Sequence, residues 1–105
     1  LSPPLPKDLD TPEAKSFVEA FKKKYGSAPK SIYPVLAGDG FRVIVEAIKG
    51  SESTDPEKIS AYLKTNLKNF PGLTGTLSFD GKGDRVGDVY RVYQVDDKGN
   101  FVLQP

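Results

Sequence analysis

Residues 70–103 read FPGLTGTLSFDGKGDRVGDVYRVYQVDDKGNFVL, and the fold class turns on them, because after Asn69 the spacing of apolar residues falls from about 3.6 to 2. Thr74 to Phe79 alternates. Val89, Arg91, Tyr93 and Val95 alternate against Tyr90, Val92 and Gln94, and Phe101 to Gln104 follows the polar run DDKGN at 96–100. Two such strands around a glycine-containing turn predict a terminal hairpin. A hairpin this small is barely stable alone in water and needs a sheet or helix to cover it.

Toward the N-terminus the period is helical. Thr11-Pro12-Glu13 supplies a capping hydroxyl, a proline where a missing N–H costs nothing, and a carboxylate facing the positive helix end. Ala14, Phe17, Val18, Phe21 and Tyr25 then form one apolar stripe, with Lys22, Lys23 and Lys24 near the negative end and Gly26 as stop. A second helix is predicted from Tyr33 or Pro34 to about Lys49, with Leu36, Gly40, Val43, Ile44, Ala47 and Ile48 inward and Gly50 closing it. Its small residues Ala37, Gly38 and Gly40 imply close packing against its first turns. Asp55-Pro56 opens a third helix that buries Ile59, Tyr62, Leu63 and Leu67. Ahead of all three, LSPPLPKDLD at 1–10 holds three prolines and reads as a connector or the tail of a strand.

Composition narrows the chemistry. The chain has 105 residues, 37% of them hydrophobic and 28% charged, which fits one domain or part of one and sets it apart from disordered chains. Fifteen Lys and Arg stand against fourteen Asp and Glu, split eight to seven over residues 1–52 and seven to seven over 53–105. Without a basic face, counterion release has little to work with, so a nucleic-acid partner is not expected. Cysteine and histidine are both absent, which removes disulfides, thiolate nucleophiles, imidazole bases and the usual zinc sites.

The remaining motifs favour structure over catalysis. Asp80-Gly-Lys-Gly-Asp84 begins like a calcium loop, but Lys82 replaces an oxygen ligand, Arg85 stands where the sharp-turn glycine belongs, and Arg91 occupies the twelfth position. It is expected to be a polar turn, with no metal and no cofactor. The glycine runs 72–75 and 81–87 lack the Gly-Lys-Ser/Thr ending of a phosphate loop. Asp80, Asp84 and Asp88 lie beside Lys82 and Arg85, where nothing raises a carboxyl pKa, so the chain is not expected to be an enzyme. Tyr33 differs: an aromatic between the extended run APKS and a helix start is placed to expose a ring at the mouth of a cleft.

The run FVEAFKKKYGSAPKSIYPVLAGDGFRVIVEAIKG, then STDPEKISAYLKTN, then FPGLTGTLSFDGKGDRVGDVYRVYQVDDKGNFV, resembles the C-terminal third of the type I periplasmic solute-binding proteins of ABC transporters. Within that group it is most similar to the branched-chain amino acid (leucine, isoleucine, valine) receptors. The resemblance covers about residues 12–102. It rests on the order of FxxxFKKKYG, an A-x-D-G helix start where the family often has A-Y-D-A, the T-D-P-E opening, and G-T-L-S-F-D-x-x-G-D-R.

The resemblance implies an α/β fold: the C-terminal segment of a two-lobe protein, three helices followed by short β-strands and a hairpin. Residues 1–10 become a connector, 11–69 the helical part of the first lobe, and 70–105 the hinge strands and hairpin of the second, with a crossing strand near 88–91. The implied function is capture of a small solute, a branched-chain amino acid or a related compound, for an ABC importer. A ligand-sensing domain of a regulator or receptor with the same fold is the alternative. The implied partners are the solute, the remainder of the same polypeptide and an ABC permease, with a periplasmic or lipid-anchored location outside the bacterial cytoplasm. One family contact maps onto Tyr33, as a wall for the solute side chain. Gly38 stands where the family usually has a bulky ring, which widens the pocket or admits a neighbouring backbone. An isolated segment of this kind is expected to associate or swap elements between copies.

Overall fold

Thr11 and Asp55 fix where helices begin. In the computed structural model, which describes residues 1–87 and 90–105, the Thr11 hydroxyl accepts the Ala14 amide at 3.1 Å and opens α1, Pro12–Tyr25. Gly26, at φ 86°, takes the left-handed conformation that ends it and donates its amide to the Lys22 carbonyl at 2.8 Å. Asp55 accepts the Glu57 amide at 3.1 Å and opens α3, Pro56–Thr65. Between them lies α2, Tyr33–Ser51. It runs through Gly50, the predicted stop, and ends at Glu52 in the left-handed region. Gly50 serves packing instead, since a Cβ there would meet the Tyr62 ring at 2.2 Å and its bare backbone lets α3 lie against α2.

The remaining described elements are short. Residues Pro6–Asp8 form a single 3-10 turn within the connector, and Ser2 pairs with Arg91 as an isolated antiparallel bridge. Strands β1, Phe70–Gly72, and β2, Gly75–Leu77, form a tight hairpin in the register Phe70 to Leu77. Sequence periodicity marks β2 but not β1, because Pro71 removes a backbone donor and argues against a strand. Phe79, expected to extend β2, instead makes an isolated bridge with Arg85. Strands β3, Tyr93–Val95, and β4, Phe101–Leu103, form the predicted second hairpin around 96–100. The crossing strand expected near 88–91 falls in part outside the described residues.

Two small apolar clusters hold these pieces. Ala14, Val35 and Leu73 make one, with Leu9, Phe17 and Ile32 against it. Val43, Leu67 and Leu77 make the other, with Tyr62, Leu63, Phe70 and Phe79 around it. Hairpin β1–β2 thus contributes to both and packs with the helices. The buried face of α2 is Val35, Asp39, Val43 and Ala47, rotated from the predicted one, so Leu36 and Ile44 stand 39% and 48% exposed. A carboxylate at a core position masks the true stripe in an apolar pattern. Of the three small residues expected to admit a close neighbour, Gly38 does so, facing the Phe17 and Leu73 side chains, whereas Gly40 faces open space.

The result is thin rather than round. The radius of gyration is 15.6 Å, with extents of 51 × 30 × 19 Å, against about 13 Å for a compact domain of this length. Phe17, Phe21 and Tyr25 stack along α1 with centroids 6.2 and 4.6 Å apart, yet Tyr25 is exposed, and so are Phe41, Val92, Val95 and Phe101. No helix among the described residues is long and apolar enough to cross a membrane.

Two glycines give a paired test. A Cβ on Gly72 would sit 2.8 Å from the Gly75 carbonyl oxygen and 3.0 Å from the Asp39 carboxylate, whereas one on Gly40 meets nothing within 4 Å. Gly72→Ala is expected to destabilise the protein by about 1–3 kcal/mol. Gly40→Ala is expected to stabilise it by about 0.4–1 kcal/mol. Urea unfolding of both variants reads the two signs, and equal effects would contradict this packing.

Candidate functional site

The site is built around a buried carboxylate. Asp39, on the inward face of α2, is only 5% exposed. Its Oδ1 accepts the Leu73 amide at 2.6 Å, and its Oδ2 accepts the Thr74 amide at 3.1 Å and the Thr74 hydroxyl at 2.6 Å. Burying a charge is costly unless it is fully hydrogen-bonded, and three donors to a carboxylate are a strong compensation. With its proton directed at Asp39, the Thr74 hydroxyl oxygen accepts from Arg85 Nη1 at 2.8 Å. Arg85 Nη2 reaches the Thr74 and Thr76 carbonyls, both at 3.4 Å. Burial draws the Arg85 guanidinium below its ordinary pKa, and the Asp39 charge opposes that shift.

The turn gripped in this way, Leu73 to Gly75, forms one wall of a cleft of about 180 Å³. The N-terminal connector supplies a second wall through Pro4 and the run from Asp8 to Thr11, and Arg91 and Leu103 close the third side. Several bonds hold connector and distal hairpin together. Ser2 and Arg91 exchange backbone bonds at 3.0 and 2.7 Å. The Tyr93 hydroxyl accepts the Leu5 amide at 2.8 Å and donates to Asp8 Oδ2 at 2.9 Å, and Lys7 Nζ donates to the Phe101 carbonyl at 2.8 Å. Burial and the Asp8 carboxylate push the Tyr93 phenol above its usual pKa.

Tyr33 occupies the first position of α2 with 76% of its surface exposed. Its ring is not part of the cleft lining. Its neighbour Ile32 packs into the cluster containing Leu9 and Leu73, two residues that do line the cleft. One helix therefore carries both the exposed ring and, six residues on, the carboxylate that grips the cleft wall. The sequence alone points to Tyr33, whereas Asp39, Gly72 to Gly75 and Arg85 stand in it only as motif letters. The signal that could have found their bond is an aspartate at a core-facing helical position, which requires buried donors.

The polar turns are closed systems. Asp80 Oδ1 accepts the Lys82 and Asp84 amides at 2.8 and 2.9 Å, and Asp96 Oδ1 accepts those of Lys98 and Asn100 at 2.9 and 2.8 Å. Each carboxylate is spent on its own loop. Among the described residues, no group of three or more acidic, histidine or cysteine side chains is arranged to hold a metal ion.

Comparison with known proteins adds to this geometry. The family profile described as "Periplasmic binding protein" matches residues 1–100. The leucine-, isoleucine-, valine-, threonine- and alanine-binding protein of Pseudomonas aeruginosa is 35% identical over 83 residues, covering 79% of this chain and 21% of that protein. A Geobacillus stearothermophilus protein named limonene hydroxylase is 36% identical over 95 residues, 89% of this chain and 17% of that one. A solved structure of a leucine-binding protein from Thermotoga maritima superposes with a TM-score of 0.80 at 32% identity, over 99% of this chain and 29% of that chain. The chain thus spans 17% to 21% of these two curated relatives.

The two closed turns generate a pH dependence. The Asp84 amide above all holds the Asp80 carboxyl below 3.8, and the Asn100 amide does the same for Asp96. Because both folded-state values are depressed, their contribution is complete above the unfolded value of 3.8 and is lost as pH falls through the lower folded values. Asp80→Asn and Asp96→Asn are therefore expected to flatten the melting-temperature profile below about pH 4. Profiles parallel to that of the parent protein would contradict this account of the turns.

Proposed function

This chain belongs to the periplasmic binding protein family and is related to the Leu/Ile/Val-binding proteins of ABC transporters, and from that premise we propose that it is the C-terminal part of a protein that captures a small solute for an ABC importer. The solute class we assign is a branched-chain amino acid or a close analogue. Tyr33 carries this reading: a large aromatic ring stands 76% exposed at the start of a helix whose other face is locked into the core. A flat ring in that position covers an aliphatic side chain while its hydroxyl stays near water. The names of the Pseudomonas and Thermotoga relatives point to the same class of solute.

In this reading residues 1–10 are the connector, residues 11–69 the helical part of one lobe, and 70–105 supply hinge strands and the hairpin of the other, with β1–β2 staying packed on the helices. The Ser2–Arg91 pairing then belongs to the hinge. Solute favours the closed state through contacts made to both lobes. The remaining partners are the rest of the same polypeptide and a membrane permease, and the location is periplasmic or lipid-anchored. In this reading the exposed Tyr25 ring at the end of α1 and the exposed apolar strand β4 would be covered by the rest of the polypeptide, and would associate between copies of an isolated segment. Catalysis is not part of the proposal. The chain carries neither histidine nor cysteine, and Asp80 and Asp96 are committed to their turns.

Isothermal titration of the full-length protein with leucine, isoleucine and valine tests this. Binding of at least one is expected, and Tyr33→Ala should weaken it by about 1–3 kcal/mol while Tyr33→Phe keeps most of the affinity. Silence toward all three solutes overturns the assigned class. Unchanged affinity in Tyr33→Ala removes the ring from the site.

A further inference from the structure

The Asp39–Thr74–Arg85 chain asks for more than a packing explanation. Asp39 alone already ties α2 to the turn with three donors. The segment carrying Arg85 is held independently by backbone bonds, Val86 to Ser78 at 2.9 Å and Asp80 to Asp84 at 2.9 Å. The backbone path of each piece is therefore set without the Arg85 side chain, whose bonds act instead on how Thr74 and Thr76 are oriented. Burial of that side chain even has a cost, since its Nε is buried with no hydrogen-bond partner among the described residues. What the guanidinium does add is a planar fork across the turn, with Nη1 on the Thr74 hydroxyl and Nη2 between the Thr74 and Thr76 carbonyls.

We infer that Arg85 is a positioning residue for solute binding, holding the Thr74 cleft wall in register with the helix that presents Tyr33. The relay runs from Arg85 to the Thr74 hydroxyl, from that hydroxyl to the Asp39 carboxylate, and along α2 to Tyr33. At its other end, Arg85 lies six positions before Arg91, which pairs with Ser2 and lines the same cleft. One side chain thus bridges the cleft-wall residue Thr74 and the strand residue Thr76. This inference rests on the solute-binding reading above and goes beyond it in assigning a residue that touches no solute.

Arg85→Gln and Arg85→Lys in the full-length protein test it, with leucine, isoleucine and valine as probes. Glutamine removes the fork, and lysine keeps the charge and the apolar stem but offers a single point donor that cannot span Thr74 and Thr76 together. Both variants are expected to melt near the parent temperature, yet to bind the probe about tenfold more weakly, with the loss in a faster dissociation rate. A merely structural role would lower the melting temperature and leave affinity intact, and that result overturns the inference. Should Arg85→Gln fail to fold, Arg85→Lys decides alone: parent-like affinity rejects the fork, and a tenfold loss in a folded protein supports it. A parent protein that binds none of the three probes rejects the solute reading itself, whereas a binding parent with unaffected variants rejects only the role of Arg85.

Discussion

The seat of α2 against the β1–β2 hairpin depends on one carboxylate satisfying the backbone of one turn. Leu73 and Thr74 sit at the reversal of β1 into β2, where their amides have no strand partner, and Leu73 is buried. An unpaired buried N–H costs about 1–3 kcal/mol. Asp39 removes that cost for both residues and finds its own charge compensated in return. The arrangement is reciprocal: neither the buried aspartate nor the buried turn is tolerable without the other. Through it, α2 gains a fixed register against the β1–β2 hairpin, Leu73 enters the first apolar cluster and Leu77 the second. Gly72 is drawn into the same constraint, because the carboxylate and the Gly75 carbonyl occupy the space a side chain would take.

The same structure is economical on its inner side and open on its outer one. Among the described residues seven apolar side chains other than prolines are buried, of which Ala14 and Ala47 are alanines, so the area removed from water is small for 105 residues. The stacked rings of α1 end in an exposed Tyr25, and the apolar strand β4 is exposed along its length. The radius of gyration exceeds that of a compact domain of this length, and the chain covers 29% of the superposed leucine-binding protein. The polar bonds are distributed differently from the apolar ones. They concentrate where connector, turn and distal hairpin meet, so the chain is best specified around the cleft.

Most of the fold is legible in the sequence because its signals are local. Thr11, Asp55, their following prolines and Gly26 announce helix ends through side-chain and backbone chemistry that needs no tertiary partner. The DDKGN hairpin is legible for the same reason, with Asp96 accepting amides from its own loop. The features that escape a sequence reading depend on distant partners. Strand β1 contains Pro71 and exists because the turn after it is gripped by α2. The inward face of α2 is displaced by one position at its start because Asp39 looks like a surface residue until its donors, more than thirty residues away, are known. Gly50 resembles a stop signal and proves to be a notch for Tyr62. At the candidate site, Tyr33 is visible as an aromatic at a helix start, whereas Thr74 and Arg85 acquire meaning only from the bond that joins them.

Amide hydrogen exchange at Leu73 and Thr74 tests the central claim most directly, since these two N–H groups belong to a short turn and would exchange quickly if only local structure protected them. The account predicts protection comparable to that of the helical amides flanking Asp39, lost selectively at these two positions when Asp39 is replaced by alanine. Rapid exchange of both amides in the unaltered protein would contradict it.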